Sequence, residues 1–288
     1  MATPETRWPG TWYRMRVRLP RDREDEAAGI AAESGAIGME TRPAGAGAID
    51  FVCWFESTAS ARRAAGRFRE AGFPAGPEGI VPVRDEGWLE AAAAPRPPIR
   101  VGRFEILTED AGEAAAGSVR VVIPLGRAFG TGEHDTTRLC LELLDLLLPP
   151  GGRVLDLGAG SGILAIAAAL GGAAEVVAVD NDPRVLDVLA RNVARNGVRG
   201  VAVVRGTWSC LAQEAAFDLV LANIHRTALV RGARAIGRRI RRGGRAVLSG
   251  FPPGDVGEVR AAWAAAGARP LTERRTAEWA AIALEMER

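Results

Sequence analysis

At 288 residues the chain is long enough for one large domain or two ordinary ones, and to bury a core without disulfides or metals. A content of 48% hydrophobic and 25% charged residues, with a mean hydropathy of +0.02, excludes disordered and membrane-embedded classes. Basic residues number 37 against 35 acidic, a formal charge of +2, and every one is Arg; so small an excess gives no reason to expect direct nucleic-acid binding.

The longest apolar stretch, Ile163 to Leu170, is too short to span a bilayer. Cys53, Cys140 and Cys210 are widely separated and odd in number, which argues for a reducing, cytoplasmic setting and against a cysteine metal site. Met1 to Arg18 has neither a continuous apolar core nor a small-residue cleavage site, so no secretory leader is expected.

Thr11 to Leu19 alternates apolar and polar residues, the period of a half-buried strand. Asp22 to Glu33 reads as a helix, Ala36 to Thr41 and Ala48 to Phe55 as strands, Thr58 to Ala71 as a helix and Gly79 to Arg84 as a strand. This β-α-β-β-α-β order predicts a ferredoxin-like α+β domain over residues 1–94. Pro95, Pro97 and Pro98 mark a stiff boundary. Residues 95–150 form a connecting segment: strands near Ile99 to Leu107 and Ser118 to Ile123, a glycine-rich loop, then an apolar helix from Thr137 to Leu148. Residues 151–288 alternate apolar strands (Arg153 to Leu157, Glu175 to Asp180, Val201 to Val204, Phe217 to Asn223, Ala246 to Ser249) with helices at Ile163 to Leu170, Pro183 to Asn196 and Thr227 to Arg242. Such alternation predicts a parallel, doubly wound sheet covered on both faces. Arg269 to Arg274 and Trp279 to Glu285 read as an added pair of edge strands.

The sharpest motif is Asp156-Leu157-Gly158-Ala159-Gly160-Ser161-Gly162 between a strand and an apolar helix, where glycines let backbone approach a ligand closely. A dinucleotide fingerprint needs its third glycine where Ile163 stands, which weakens a nicotinamide oxidoreductase reading. Asp156 would repel a phosphate and suits an ammonium or sulfonium group instead. Asp180 closes the following strand, where a carboxylate can accept hydrogen bonds from both hydroxyls of a ribose. Asn223 ends the fourth parallel strand, at the carboxyl edge where open α/β sheets bind ligands, and offers a carbonyl to a substrate amine.

Together, the phrase from Ala128 through Phe129, Gly130, Thr131, Gly132 and His134 to Thr136 and Thr137, the loop from Asp156 to Leu164, Asp180 and Ala222-Asn223-Ile224 resemble the ribosomal protein L11 methyltransferase family (PrmA). The likeness extends to Gly35-Ala36-Ile37-Gly38, Trp88 and Glu278-Trp279, and so covers most of the chain. It implies a class I methyltransferase with a Rossmann-like doubly wound sheet and a smaller N-terminal ferredoxin-like domain that recruits substrate. S-adenosyl-L-methionine would be the cofactor, and lysine and N-terminal amines of a large-subunit ribosomal protein the acceptors. Cofactor positions then fall on Thr137, Asp156, Gly158, Gly160, Gly162, Asp180 and Asn223, with Phe129, Gly130 and Thr131 in a capping loop and Asn223 also catalytic. Glu133-His134-Asp135 stands where the family usually has Thr-His-Pro, Asn223-Ile224-His225 where it usually has Asn-Ile-Leu, and Gly206-Thr207-Trp208 where an acidic residue often lies near the adenine. These departures line the acceptor side and keep open a methyltransferase of the same fold acting on another protein or a small amine.

Overall fold

The computed structural model describes residues 11–45, 47–73, 75–84, 97–108, 117–124, 134–212 and 216–287. The chain divides into two compact units, Met1–Ala94 and Pro95–Arg288.

The first unit holds β1 (Thr11–Pro20), a helix at Glu24–Glu33, β2 (Gly38–Pro43), β3 (Ala48–Phe55), a helix at Thr58–Glu70 and β4 (Ala75–Arg84). Its sheet has the order β2-β3-β1-β4 with every pair antiparallel, the ferredoxin-like arrangement expected. Ser57 caps the second helix by accepting from Ser60 N at 3.1 Å. Alternation along β1 puts Met15, Val17 and Leu19 into a core with Phe51, Phe68 and Phe73.

The second unit carries a seven-stranded sheet in the order β10-β9-β8-β11-β12-β14-β13. These strands are β8 (Arg153–Leu157), β9 (Glu175–Asp180), β10 (Val201–Arg205), β11 (Phe217–Asn223), β12 (Ile240–Phe251), β13 (Ala268–Arg275) and β14 (Ala280–Met286). Five run parallel, and β14 inserts antiparallel between β12 and β13. One face packs against helices Asp135–Leu147, Ile163–Leu170 and Pro183–Arg195, and the other against Arg226–Gly237 and Val256–Ala265. This is the doubly wound class I methyltransferase sheet. Because β9 and β10 lie on one side of β8 and β11 lies on the other, the topological switch point falls between β8 and β11.

Three expectations need correction. Ile99 to Leu107 is two antiparallel strands, β5 (Ile99–Val101) and β6 (Phe104–Leu107), turned at Gly102 with φ 55°; β7 (Val119–Val122) then pairs in parallel with β6. A Cβ at Gly102 would lie 2.1 Å from Asp145 Oδ2, which accepts from Arg103 N at 3.0 Å, so a carboxylate on the following helix holds the turn. The helix expected to run through Arg242 stops at Gly237, because Ile240 pairs with Phe217 as the first residue of β12. A helix that sequence periodicity had not marked, Val256–Ala265, closes the second face with Trp263 fully buried.

Candidate active site

The turn after β8 is shaped by three glycines in the left-handed region, Gly158 (φ 71°), Gly160 (φ 54°) and Gly162 (φ 83°). Gly158 N and Ala159 N both donate to Val179 O, at 2.8 and 3.1 Å, which ties the turn to β9. There is no room for side chains: a Cβ at Gly158 would lie 2.3 Å from Ile224 Cγ2, and one at Gly162 2.1 Å from Leu189 Cδ1. The contact of Gly158 with Ile224 brings the ends of β8 and β11 together at the switch point. Buried Asn192 holds the far side of the turn, its Nδ2 donating to Ser161 O at 2.8 Å.

Asp180 links the turn to the next helix. Its Oδ2 accepts from Gly160 N at 2.9 Å and its Oδ1 from Asp182 N at 3.0 Å. Each oxygen retains a lone pair for a further donor, so the carboxylate is held in place by backbone and still able to bind a pair of hydroxyls.

Asp156 lies beneath the turn rather than on its surface. It is 1% exposed, and its Oδ2 accepts from Ala165 N at 3.0 Å inside the first turn of the Ile163–Leu170 helix. Burial pushes its pKa up to about 7, opposed by the bond from Ala165 and reinforced by the charge of Asp180.

Thr137 lies on the helix Asp135–Leu147, whose first turn meets Asn223 at the end of β11. Thr137 is 1% exposed, and its Oγ1 is buried with no hydrogen-bond partner among the described residues. Such an orphaned hydroxyl is costly unless something donates to it or accepts from it. Asn223 Nδ2 donates to Thr136 Oγ1 at 3.1 Å. His134 is the N-cap of that helix, its Nδ1 accepting from Thr136 N at 3.3 Å and lying 2.8 Å from Thr136 Oγ1. Burial lowers the His134 pKa, against the opposing charges of Asp135 and Glu278, so the ring is neutral near pH 7. Its ring meets that of Trp279 edge-on, with centroids 5.0 Å apart.

The expected residues thus converge in pairs: Gly158 with Ile224, Gly160 with Asp180, and Asn223 with the residue before Thr137. Phe129, Gly130 and Thr131 lie outside the described residues. Thr136, beside the expected Thr137, joins the site; its signal in the sequence is the Thr-Thr pair itself, of which one hydroxyl is taken and the other left open. His225 is exposed at the start of the Arg226–Gly237 helix and makes no side-chain cap. Trp208 packs against Gly232.

The open acceptors of Asp180, the orphaned Thr137 hydroxyl and the glycine turn fit a ligand that carries a ribose, as S-adenosyl-L-methionine does. The family model described as ribosomal protein L11 methyltransferase (PrmA) matches residues 11–287. A ribosomal protein L11 methyltransferase of Myxococcus xanthus is 33% identical over 290 residues, covering 96% of this chain and 99% of its own. One from Thermus thermophilus is 42% identical over 203 residues, covering 70% of this chain and 78% of its own. Among solved structures, the ribosomal protein L11 methylase of Lactobacillus delbrueckii subsp. bulgaricus is 26% identical with a TM-score of 0.60, covering 67% of this chain and all of that one.

Proposed function

The chain belongs to the ribosomal protein L11 methyltransferase family, and from that premise we propose that it is a cytoplasmic protein N-methyltransferase. It takes methyl groups from S-adenosyl-L-methionine and places them on lysine and N-terminal amines of ribosomal protein L11. The observation that carries this reading is that a carboxylate with open acceptors, Asp180, and an amide with an open carbonyl, Asn223, end the two strands that flank β8, namely β9 and β11, at the same carboxyl edge of the sheet. A nicotinamide reading finds no support, because Ile163, the first residue of the helix that Gly162 caps, stands where a dinucleotide fingerprint needs its third glycine.

Asp180 holds the ribose, Thr137 satisfies a polar group of the ligand, and the turn from Gly158 to Gly162 gives the close backbone approach. When bound, the cofactor supplies an electrophilic methyl on a sulfonium, whose departing sulfur is neutral and needs no acid. What the protein must do is align an unprotonated amine. At pH 7.5 a lysine with pKa near 10.4 costs about 4 kcal/mol to deprotonate, and an α-amine of pKa 7.7–8.0 well under about 1 kcal/mol. Asn223 Oδ1 accepts the amine's N–H and so points its lone pair. The first unit, which carries no cofactor residue, recruits the protein acceptor.

Calorimetry tests the cofactor assignment. The whole chain should bind S-adenosyl-L-methionine and not NAD or NADP, and Asp180→Ala should weaken that binding by about 1.5–3 kcal/mol, the range for hydrogen bonds to a charged group. Unchanged affinity in the variant would remove Asp180 from the ribose.

A further inference from the structure

The carboxamide of Asn223 does not choose its own orientation. The chain of bonds that does so begins at a group of fixed polarity, the backbone N–H of Thr136, which can only donate. It donates to His134 Nδ1 at 3.3 Å, so that nitrogen carries a lone pair and the ring's proton is on Nε2. The Thr136 hydroxyl lies 2.8 Å from the same nitrogen and must give its only proton there. Having spent that proton, Thr136 Oγ1 can only accept from Asn223, at 3.1 Å, which turns Nδ2 toward Thr136. The carbonyl Oδ1 is left as the outward end, and it makes no hydrogen bond to the described residues.

We propose that His134 and Thr136 are positioning residues for methyl transfer, a polarity relay that presents the Asn223 carbonyl, rather than its amide N–H₂, to the acceptor amine. This rests on the methyltransferase reading above. An amine attacking a methyl group must offer its lone pair, and an N–H₂ group facing it would hydrogen-bond that lone pair and block it. A carbonyl instead takes one of the amine's own N–H bonds and leaves the lone pair free. The relay holds only while His134 is neutral. A protonated Nδ1 would donate to Thr136, free the threonine proton for Asn223, and reverse the amide. Among the described residues, Asp135 on its own helix and Glu278 beside β14 place negative charge near His134, and both work against the burial that keeps the ring neutral. Trp279, edge-on to the imidazole, supplies part of that burial.

Two variants separate the hydroxyl from the shape of the side chain. Thr136→Val keeps the volume and loses the proton; Thr136→Ser keeps the proton. With the whole chain and ribosomal protein L11 as acceptor, Thr136→Val should lower kcat by about tenfold to a hundredfold, with affinity for S-adenosylhomocysteine held within about twofold and Thr136→Ser within about threefold of the parent. His134→Asn, whose Oδ1 can replace Nδ1 as acceptor, should keep more activity than His134→Leu. Equal losses in the Val and Ser variants, or a Val variant as active as the parent, would overturn the relay. A readout independent of activity is ¹⁵N NMR of labelled histidine, simple because the chain has only 2 histidines. His134 should show the Nε2–H tautomer in the parent, and an Nδ1–H tautomer would overturn the proposal. If the parent methylates no L11 but shows the expected tautomer, the substrate reading fails and the relay's geometry stands.

Discussion

Asp156 shows how a carboxyl can be sealed beneath a turn rather than displayed on it. Its carboxyl is sealed under the glycine turn, and its pKa of about 7 means that the native protein holds a proton there which the unfolded chain, near 3.8, releases. The sign follows directly: stability from this group is fully present below about pH 4 and is lost as pH rises through about 7. Asp156→Asn keeps an acceptor for Ala165 N and never ionises. The variant should therefore gain on the parent between about pH 4 and pH 8, by at most ~4 kcal/mol for a shift of about 3 pKa units. Denaturant melts across that range measure the gap, and a gap that does not change with pH would mean that Asp156 titrates normally. Sequence reading placed Asp156 next to a cation because its charge suited one. Its burial was not legible, since a strand's alternation says which face a residue is on and not whether a helix covers that face.

Elements were legible where pattern and local chemistry agree, and obscure where tertiary pairing overrode them. β3, β8, β9 and β11, together with the Ile163–Leu170 helix, stand where their apolar runs put them, because turn glycines or polar ends bound each run. Arg238 to Arg242 continues a helical spacing of apolar and basic residues, yet these residues leave the helix. Arg239 turns inward, its guanidinium donating to Ala235 O at 2.6 Å and Leu211 O at 2.8 Å, while Phe217 N donates to Arg239 O at 2.8 Å and starts the sheet pairing. No local propensity encodes a strand partner that far away in sequence. The Val256–Ala265 helix is a different case: Val256, Val259 and Trp263 do lie on one face, but a run so rich in Ala and Gly has little contrast between its faces. Its anchor is Trp263, fully buried, whose Nε1 donates to Leu229 O at 3.1 Å on the neighbouring helix. Trp263→Ala should cost about 3–5 kcal/mol in chemical denaturation, by lost burial and a cavity. A loss under ~1 kcal/mol would show that this helix contributes little to the unit.

At the scale of the whole molecule the proposed function separates binding from recruitment. Every proposed cofactor residue lies in the unit Pro95–Arg288, while Met1–Ala94 has its own core of aromatic and aliphatic side chains. The motifs for the first task were legible because backbone turns need glycine and strand ends need specific polar groups. Those for the second were not, because a recruiting surface needs only shape and charge. Tethering an acceptor through a second surface raises its concentration at the site without adding any chemistry there. A chain beginning at Arg96 should then bind S-adenosyl-L-methionine close to normally and methylate intact L11 poorly; equal efficiency on intact L11 would remove the recruiting role. The central claim is the transfer itself. It is tested most directly by intact mass of purified ribosomal protein L11 after incubation with the full chain and S-adenosyl-L-methionine. The account predicts a rise in whole multiples of one methyl, absent without the cofactor. An unchanged L11 mass from a chain that demonstrably binds S-adenosyl-L-methionine would contradict it.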